Sequence, residues 1–306
     1  MTGKQKILVV VEFENEPAVV VERAAWLATL LDCDLELLLC DPDASSIGMR
    51  PLLSNEAEIM SANIEAAQQE LLSDLEQIAK AIGIKATSSV LHERPIADGI
   101  LSLALDMNPK MIIKGTHYHS ASERNIIVGT DWQLMRMSPC QLYLVKRSSF
   151  KEKPTVIAAV DPMHDHDRTA ALDQLIIENA KLIVDKCDGE LHLFHSYQRL
   201  VAIGHAASWA VKSGTLPIDE IDRRTKKEHR EALNTLASRY DIEDKHVHQL
   251  PGRTHELLPA FVRSKAADLV VIGALARWGL KRMLVGSTAE RVLDHLPCDL
   301  LIVRAE

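Results

Sequence analysis

The residues with the clearest chemical potential lie in a few short stretches. Gly286 and Ser287 precede a segment, Thr288 to Leu296, that reads as a helix. Glycine lets backbone N–H groups approach anionic oxygens closely and a helix dipole favours negative charge there, so this pair could cradle a phosphate. The same residue types also serve ordinary tight turns. Arg94 and Arg253 each follow an apolar run. An arginine in such a loop suits an oxyanion, or else pairs with a local carboxylate. His117 with His119, and His164 with His166, are spaced two apart. In extended chain that spacing turns both imidazoles the same way and offers two ligands to one zinc ion; the first pair brings no visible third ligand, and the second has the Asp165 and Asp167 carboxylates interleaved. The alternative for each is an exposed polar loop. The stretch from Tyr197 to Pro217, which includes Trp209, is apolar enough to form a lid over a ligand with a hydrocarbon portion, or a packing face. No Walker A, GxGxxG, GxSxG or HExxH pattern is present, and no catalytic residue is assigned.

The elements that must position these residues occur twice. Lys6–Glu12 matches Thr155–Asp161, each an apolar strand-like run closed by a carboxylate, 149 positions apart. A helical stripe follows, Val20, Ala24, Leu27 and Leu31 in the first half and Ile176, Ala180, Ile183 and Cys187 in the second, now 156 positions apart. The second half therefore carries seven extra residues between its first strand and the helix stripe, and Met163–Arg168 is read as a loop insert. Strands Leu35–Leu39 and Leu191–Phe194 come next, then long excursions, a second helix, a short third strand, a third helix, and the fourth strands Met111–Gly115 and Leu269–Gly273. Tyr143–Val145 and Leu301–Val303 close the halves as fifth strands. Strands this apolar need cover on both faces, which implies two doubly wound parallel sheets with ligands beyond the carboxyl ends of the strands at the switch point. The domains are read as 1–147 and 155–306, joined by a short polar linker.

Composition narrows the function classes. The 306 residues suit two domains of ordinary size. No apolar run is long enough to span a bilayer, and the amino-terminal residues lack the pattern of an export signal. The five cysteines are dispersed, with no CxxC pair. A soluble, cytoplasmic protein with reduced thiols is expected. A net charge of −8 without a basic stripe argues against nucleic acid as a partner.

With the repeat placed, the segment Val270–Leu293 and then Pro297–Val303 resembles the universal stress protein family. His117–His119, Thr130–Trp132 and His92–Pro95 look like its tandem, E-type branch. The resemblance implies an adenine nucleotide α-hydrolase-like fold, with the two domains paired through their fifth strands as an intramolecular pseudo-dimer. ATP-binding members show Gly-x2-Gly-x9-Gly-Ser/Thr after strand 4. Gly273, Gly286 and Ser287 fall on that pattern, with Ala276 in place of the second glycine, and Asp161 matches the carboxylate that touches nucleotide. In the first half Tyr118 stands for the second glycine and Glu12 for the aspartate, so its phosphate loop is degenerate. The resemblance thus implies a stress-response ligand sensor or interaction module that self-associates and binds ATP in the second domain through Asp161, Gly273, Ala276, Gly286, Ser287 and Arg253. A slow metal-assisted ATPase and a carrier of an amphipathic, lipid-like molecule remain as alternatives.

Overall fold

Runs such as Lys6–Val11, rich in β-branched side chains, are stiff at χ1 and pack well on a pleated surface. They become the inner strands of two parallel sheets. The computed structural model describes residues 4–41, 54–116, 129–146, 149–163, 167–199, 218–274, 292–293 and 295–305. The chain divides into two compact units, Met1–Arg147 and Ser148–Glu306.

In unit 1 the elements alternate as β1 (Lys6–Val11), α1 (Pro17–Leu31), β2 (Asp34–Cys40), α2 (Ser54–Ala81), β3 (Ala86–Leu91), α3 (Ile96–Met107), β4 (Met111–Gly115), α4 (Thr130–Met137) and β5 (Gln141–Val145). The sheet order is β3-β2-β1-β4-β5, every pairing parallel. Unit 2 repeats it with β6 (Thr155–Ala159), α5 (Asp167–Cys187), β7 (Glu190–Tyr197), α6 (Ile218–Ser238), β8 (Val247–Pro251), α7 (Thr254–Lys265), β9 (Leu269–Ala274) and β10 (Asp299–Arg304). Its order is β8-β7-β6-β9-β10, again parallel throughout. In each unit the chain first winds outward and then crosses back. The switch point therefore lies between β1 and β4, and between β6 and β9, where neighbouring loops diverge and leave a crevice.

The helices are bounded by local chemistry. Pro17 opens α1, where its missing N–H costs nothing, and Asp32 closes it in the left-handed region at φ 54° with its N–H on Ala28 O. The stripe residues Val20, Ala24, Leu27, Ile176, Ala180 and Ile183 are all buried, as the 3.6-residue period requires. The seven-residue insert is resolved differently from the sequence reading. It mainly lengthens a helix: α5 has 21 residues against 15 in α1, and begins at Asp167. Asp167 favours a helix amino terminus and Ala170, Ala171 and Leu172 are strong helix formers, so the added residues propagate the helix. His164 and His166 lie outside the described residues.

Among the described residues no helix is long and apolar enough to cross a membrane. Cys33, Cys40 and Cys298 are buried and Cys140 and Cys187 half-buried, all as free thiols. Burial pushes the Cys40 thiol up to about 12, with Glu12 adding to it, so this cysteine stays protonated and unreactive.

Gly115, the last residue of β4, and Gly273, the penultimate residue of β9, are packing residues. A Cβ on Gly273 would sit 2.5 Å from the Leu172 side chain of α5, and one on Gly115 would sit 2.9 Å from Asn15 O. Strand and overlying chain approach this closely only because no side chain intervenes. Gly273→Ala is expected to destabilise unit 2 by about 1–3 kcal/mol through overpacking, read from urea denaturation. An unchanged midpoint would show that the glycine has no packing role.

Candidate functional site

At the carboxyl end of the unit 1 sheet, the crevice is held by an internal ion cluster. Lys114, the penultimate residue of β4, is only 3% exposed. Its Nζ lies 2.6 Å from Glu12 Oε2, 2.9 Å from Asp131 Oδ1 and 3.0 Å from the Gly115 carbonyl, so three acceptors meet three ammonium donors. Asp131, in the first turn of α4, takes a further hydrogen bond from the Thr116 hydroxyl at 2.5 Å, and the Asn15 amide donates to Glu12. Burial works against the Lys114 charge, but Asp131 and Glu12 together outweigh it and raise its pKa above the ordinary lysine value. Among the described residues, a small cavity beside the cluster, lined in part by Asn15, Val20, Thr116 and Lys146, is about 10 Å³, room for roughly one water. In unit 1 the Glu12 carboxylate, which matches Asp161 of unit 2, is thus engaged by the protein's own ammonium group.

Unit 2 has another arrangement at the same place. The counterpart of Lys114 is Ile272, and Thr288 takes the sequence position of Asp131. Asp161, directly beyond Val160, keeps a side chain that is 57% exposed. Its backbone N–H donates to Asp173 Oδ1 at 3.0 Å, anchoring the loop to α5. His195, on β7 and 1% exposed, lies with Nδ1 3.8 Å from Asp161 Oδ1 and 3.0 Å from the Val160 carbonyl. A carbonyl only accepts, so Nδ1 carries the proton. His195 Nε2 then accepts from His229 Nδ1 of α6 at 2.7 Å, and the ring planes are only 20° apart. The result is a short imidazole chain leading from α6 to the loop that bears Asp161.

Burial lowers the His229 pKa below the ordinary 6.5, and the Asp161 carboxylate opposes that shift. The neutral ring is the folded form. Its contribution to stability is fully present above about pH 6.5 and is lost as the pH falls below that, because the unfolded chain takes up the proton first. Asp161→Asn removes the opposing charge. The NMR titration midpoint of His229 should therefore fall further in that variant, and a rise would contradict the proximity of the two groups.

The other sequence-predicted residues are distributed as follows. Gly273 lies on β9, next to β6 and hence beside the strand that leads to Asp161. Arg253 stands at the amino-terminal cap of α7 with Nη1 3.8 Å from Glu256 Oε1, the local carboxylate pairing that was one of its two expected fates. Ala276, Gly286, Ser287, His117 and His119 lie outside the described residues, as does most of the Tyr197–Pro217 excursion. Lys114, His195 and His229 were not singled out from the sequence. The signal for Lys114 was a charge inside a strand that must be buried on both faces, where an unpaired ammonium could not persist.

Two doubly wound parallel units with crevices at their switch points define a tandem nucleotide-fold protein. A family model described as Universal stress protein family matches residues 4–146 and again residues 155–304. The chain belongs to the universal stress protein family. It is 25% identical over 309 residues to Universal stress protein E of Escherichia coli K12, covering all of this chain and 96% of that protein. The Haemophilus influenzae homologue of that protein is 24% identical over 307 residues, covering 98% and 97%. Among solved structures, a functionally unknown protein from Pseudomonas aeruginosa PAO1 superposes with a TM-score of 0.70 at 23% identity, covering 99% of this chain and 93% of that one. A universal stress protein from Archaeoglobus fulgidus gives 0.66 at 18% identity, covering 98% and 96%. These likenesses establish the fold along the full tandem.

The unit 1 cluster makes a sharp prediction. Lys114→Ile, which installs the unit 2 residue, strands two carboxylates, one of them buried, and should cost about 3–5 kcal/mol. Adding Asp131→Asn should recover much of that loss in urea denaturation, because the remaining side chain still pairs with Thr116 without a charge. Equal stability of Lys114→Ile and the wild type would show that the cluster contributes nothing.

Proposed function

We propose that this chain is a cytoplasmic stress-response protein that senses an adenine nucleotide through unit 2, while unit 1 serves as a closed structural partner. The observation that carries this reading is the asymmetry at the switch points. Unit 1 meets its Glu12 carboxylate with Lys114, whereas the matching Asp161 in unit 2 is largely exposed beside β9. An exposed carboxylate at that position suits the hydroxyls of a ribose. Gly286 and Ser287 would present backbone N–H groups to the phosphates, Ala276 would line the loop in place of a glycine, and Gly273 would let the chain leave β9 close to α5. Arg253 could swing from Glu256 to a phosphate oxygen, since a half-exposed ion pair of this kind is worth little. Binding at this position would couple nucleotide level to the surface that unit 2 offers a partner.

Calorimetric titration of the full-length protein with ATP and magnesium tests the proposal. One nucleotide per chain with micromolar affinity is expected, lost in Gly286→Asp, which places a negative side chain where phosphate would sit. Absence of binding at millimolar ATP, or two sites per chain, would overturn it.

A further inference from the structure

At the opposite end of the unit 2 sheet, near the amino ends of β7 and β8, three histidines converge. His192 is 3% exposed, with Nδ1 3.3 Å from His246 Nδ1 and 3.1 Å from His248 Nε2. Glu190 Oε1 lies 3.3 Å from His246 Nδ1 and 3.5 Å from His192 Nε2. The ligand atoms of Glu190, His192 and His246 all fall within 4.8 Å of one another. Phe261 closes one side, its ring centroid 4.8 Å from that of His248 and 6.4 Å from that of His192.

Hydrogen bonding alone leaves this cluster poorly satisfied. A ring nitrogen has either one proton or one lone pair, so His192 Nδ1 makes at most one well-directed bond, yet two imidazole nitrogens press on it. Three lone pairs sharing a cation would resolve the conflict. A tetrahedral ion with metal–nitrogen bonds of about 2.0–2.1 Å holds its ligand atoms about 3.3–3.4 Å apart, which matches the 3.3 Å that separates His246 Nδ1 from His192 Nδ1 and from Glu190 Oε1.

The duplication supplies an internal comparison. The offsets that align the two units place Glu36 on His192, Thr87 on His246 and Ser89 on His248, and the strand registers agree, since Leu37 pairs with Ser88 as Leu193 pairs with Val247. In unit 1 this position already holds a cation. Lys6 Nζ sits 2.8 Å from Glu36 Oε2 and 2.9 Å from Thr87 Oγ1, and Ser89 Oγ bonds the other Glu36 oxygen at 3.2 Å. The residue that matches Lys6 in unit 2 is Thr155, which brings no charge. Where the built-in ammonium is missing, the carboxylate and the Thr87 hydroxyl that held it, and the Ser89 hydroxyl beside them, have become imidazoles.

The geometry points to a zinc-class divalent metal site formed by Glu190, His192 and His246, with His248 packed against His192, taking the place of the Lys6 ammonium. It is separate from the nucleotide reading and from the His117/His119 and His164/His166 pairs. Glu190 supplies one negative charge against the nearby Lys265, so the bound ion is held mainly by neutral nitrogen donors, which suit zinc better than calcium or magnesium. Its role is structural, fastening β7 to β8 at the sheet edge.

The test is cobalt(II) titration of the chelator-stripped full-length protein, followed by zinc displacement. One equivalent is expected, with the visible absorption of a four-coordinate site and a raised Tm. His246→Gln and Glu190→Gln change half-buried and exposed side chains and should leave the fold intact, verified by circular dichroism. Affinity should drop more than about 100-fold in His246→Gln and about 10–100-fold in Glu190→Gln. Thr155→Lys, which restores the unit 1 ammonium, should abolish uptake in a folded protein. A variant with His117, His119, His164 and His166 all changed to Ala should retain it. No cobalt uptake by the wild type, or uptake unaltered in His246→Gln and Thr155→Lys, would overturn the proposal.

Discussion

A parallel sheet covered on both faces admits a charge only together with its counter-charges, and the two units meet that constraint in different ways. Lys114 is tolerated inside unit 1 because Glu12, Asp131 and the Gly115 carbonyl neutralise and hydrogen-bond it. The cost of moving an ammonium out of water is several kcal/mol, larger than any single surface pair could offset, so the three acceptors act as one unit. Filling the switch point in this way ties β1, β4 and α4 together. It also engages the Glu12 carboxylate and the first turn of α4. In unit 2, Ile272 removes the ammonium, and Asp161 is left at the mouth of the crevice in contact with the His195–His229 chain.

The same logic recurs at the other end of the sheets. Lys6 is the resident cation of unit 1 there, ligated by Glu36 and Thr87. Unit 2 replaces the ammonium with a threonine and the hydroxyls with imidazoles, converting a self-contained ion pair into a set of donors. At both ends a cation built into unit 1 is absent from unit 2. Duplication of one fold has thus produced one unit that sets lysine ammonium groups against its own carboxylates and one with Ile272 and Thr155 at those positions.

Much of this fold was legible in the sequence. The paired apolar runs closing on Glu12 and Asp161, and the helix stripes at Val20 and Ile176, followed from period and self-similarity because each is a local pattern. Pairings across long separations were not. Lys114 meets Glu12 over 102 positions, and His192 meets His246 and His248 over 54 and 56, distances at which only strand register says which side chains meet. Carrying the offsets of 156 and 159 through residue by residue would have set the histidines on Glu36, Thr87 and Ser89. The loop expected over Met163–Arg168 gives way to helix at Asp167 and Arg168, because the alanine-rich residues behind them propagate α5. Arg253 illustrates the limit of residue type alone: its position at a helix cap was readable, but its pairing with Glu256 required coordinates.

The central claim is that unit 2 is the open site and unit 1 the closed one, and NMR of protein labelled with nitrogen-15 at histidine and lysine tests it most directly. A buried, fully hydrogen-bonded ammonium exchanges its protons slowly, so Lys114 should give its own resonance. On saturation with magnesium ATP the His195 and His229 ring signals should shift while the Lys114 signal stays fixed. Movement of Lys114 with the imidazoles unchanged would contradict the account and place the nucleotide in unit 1.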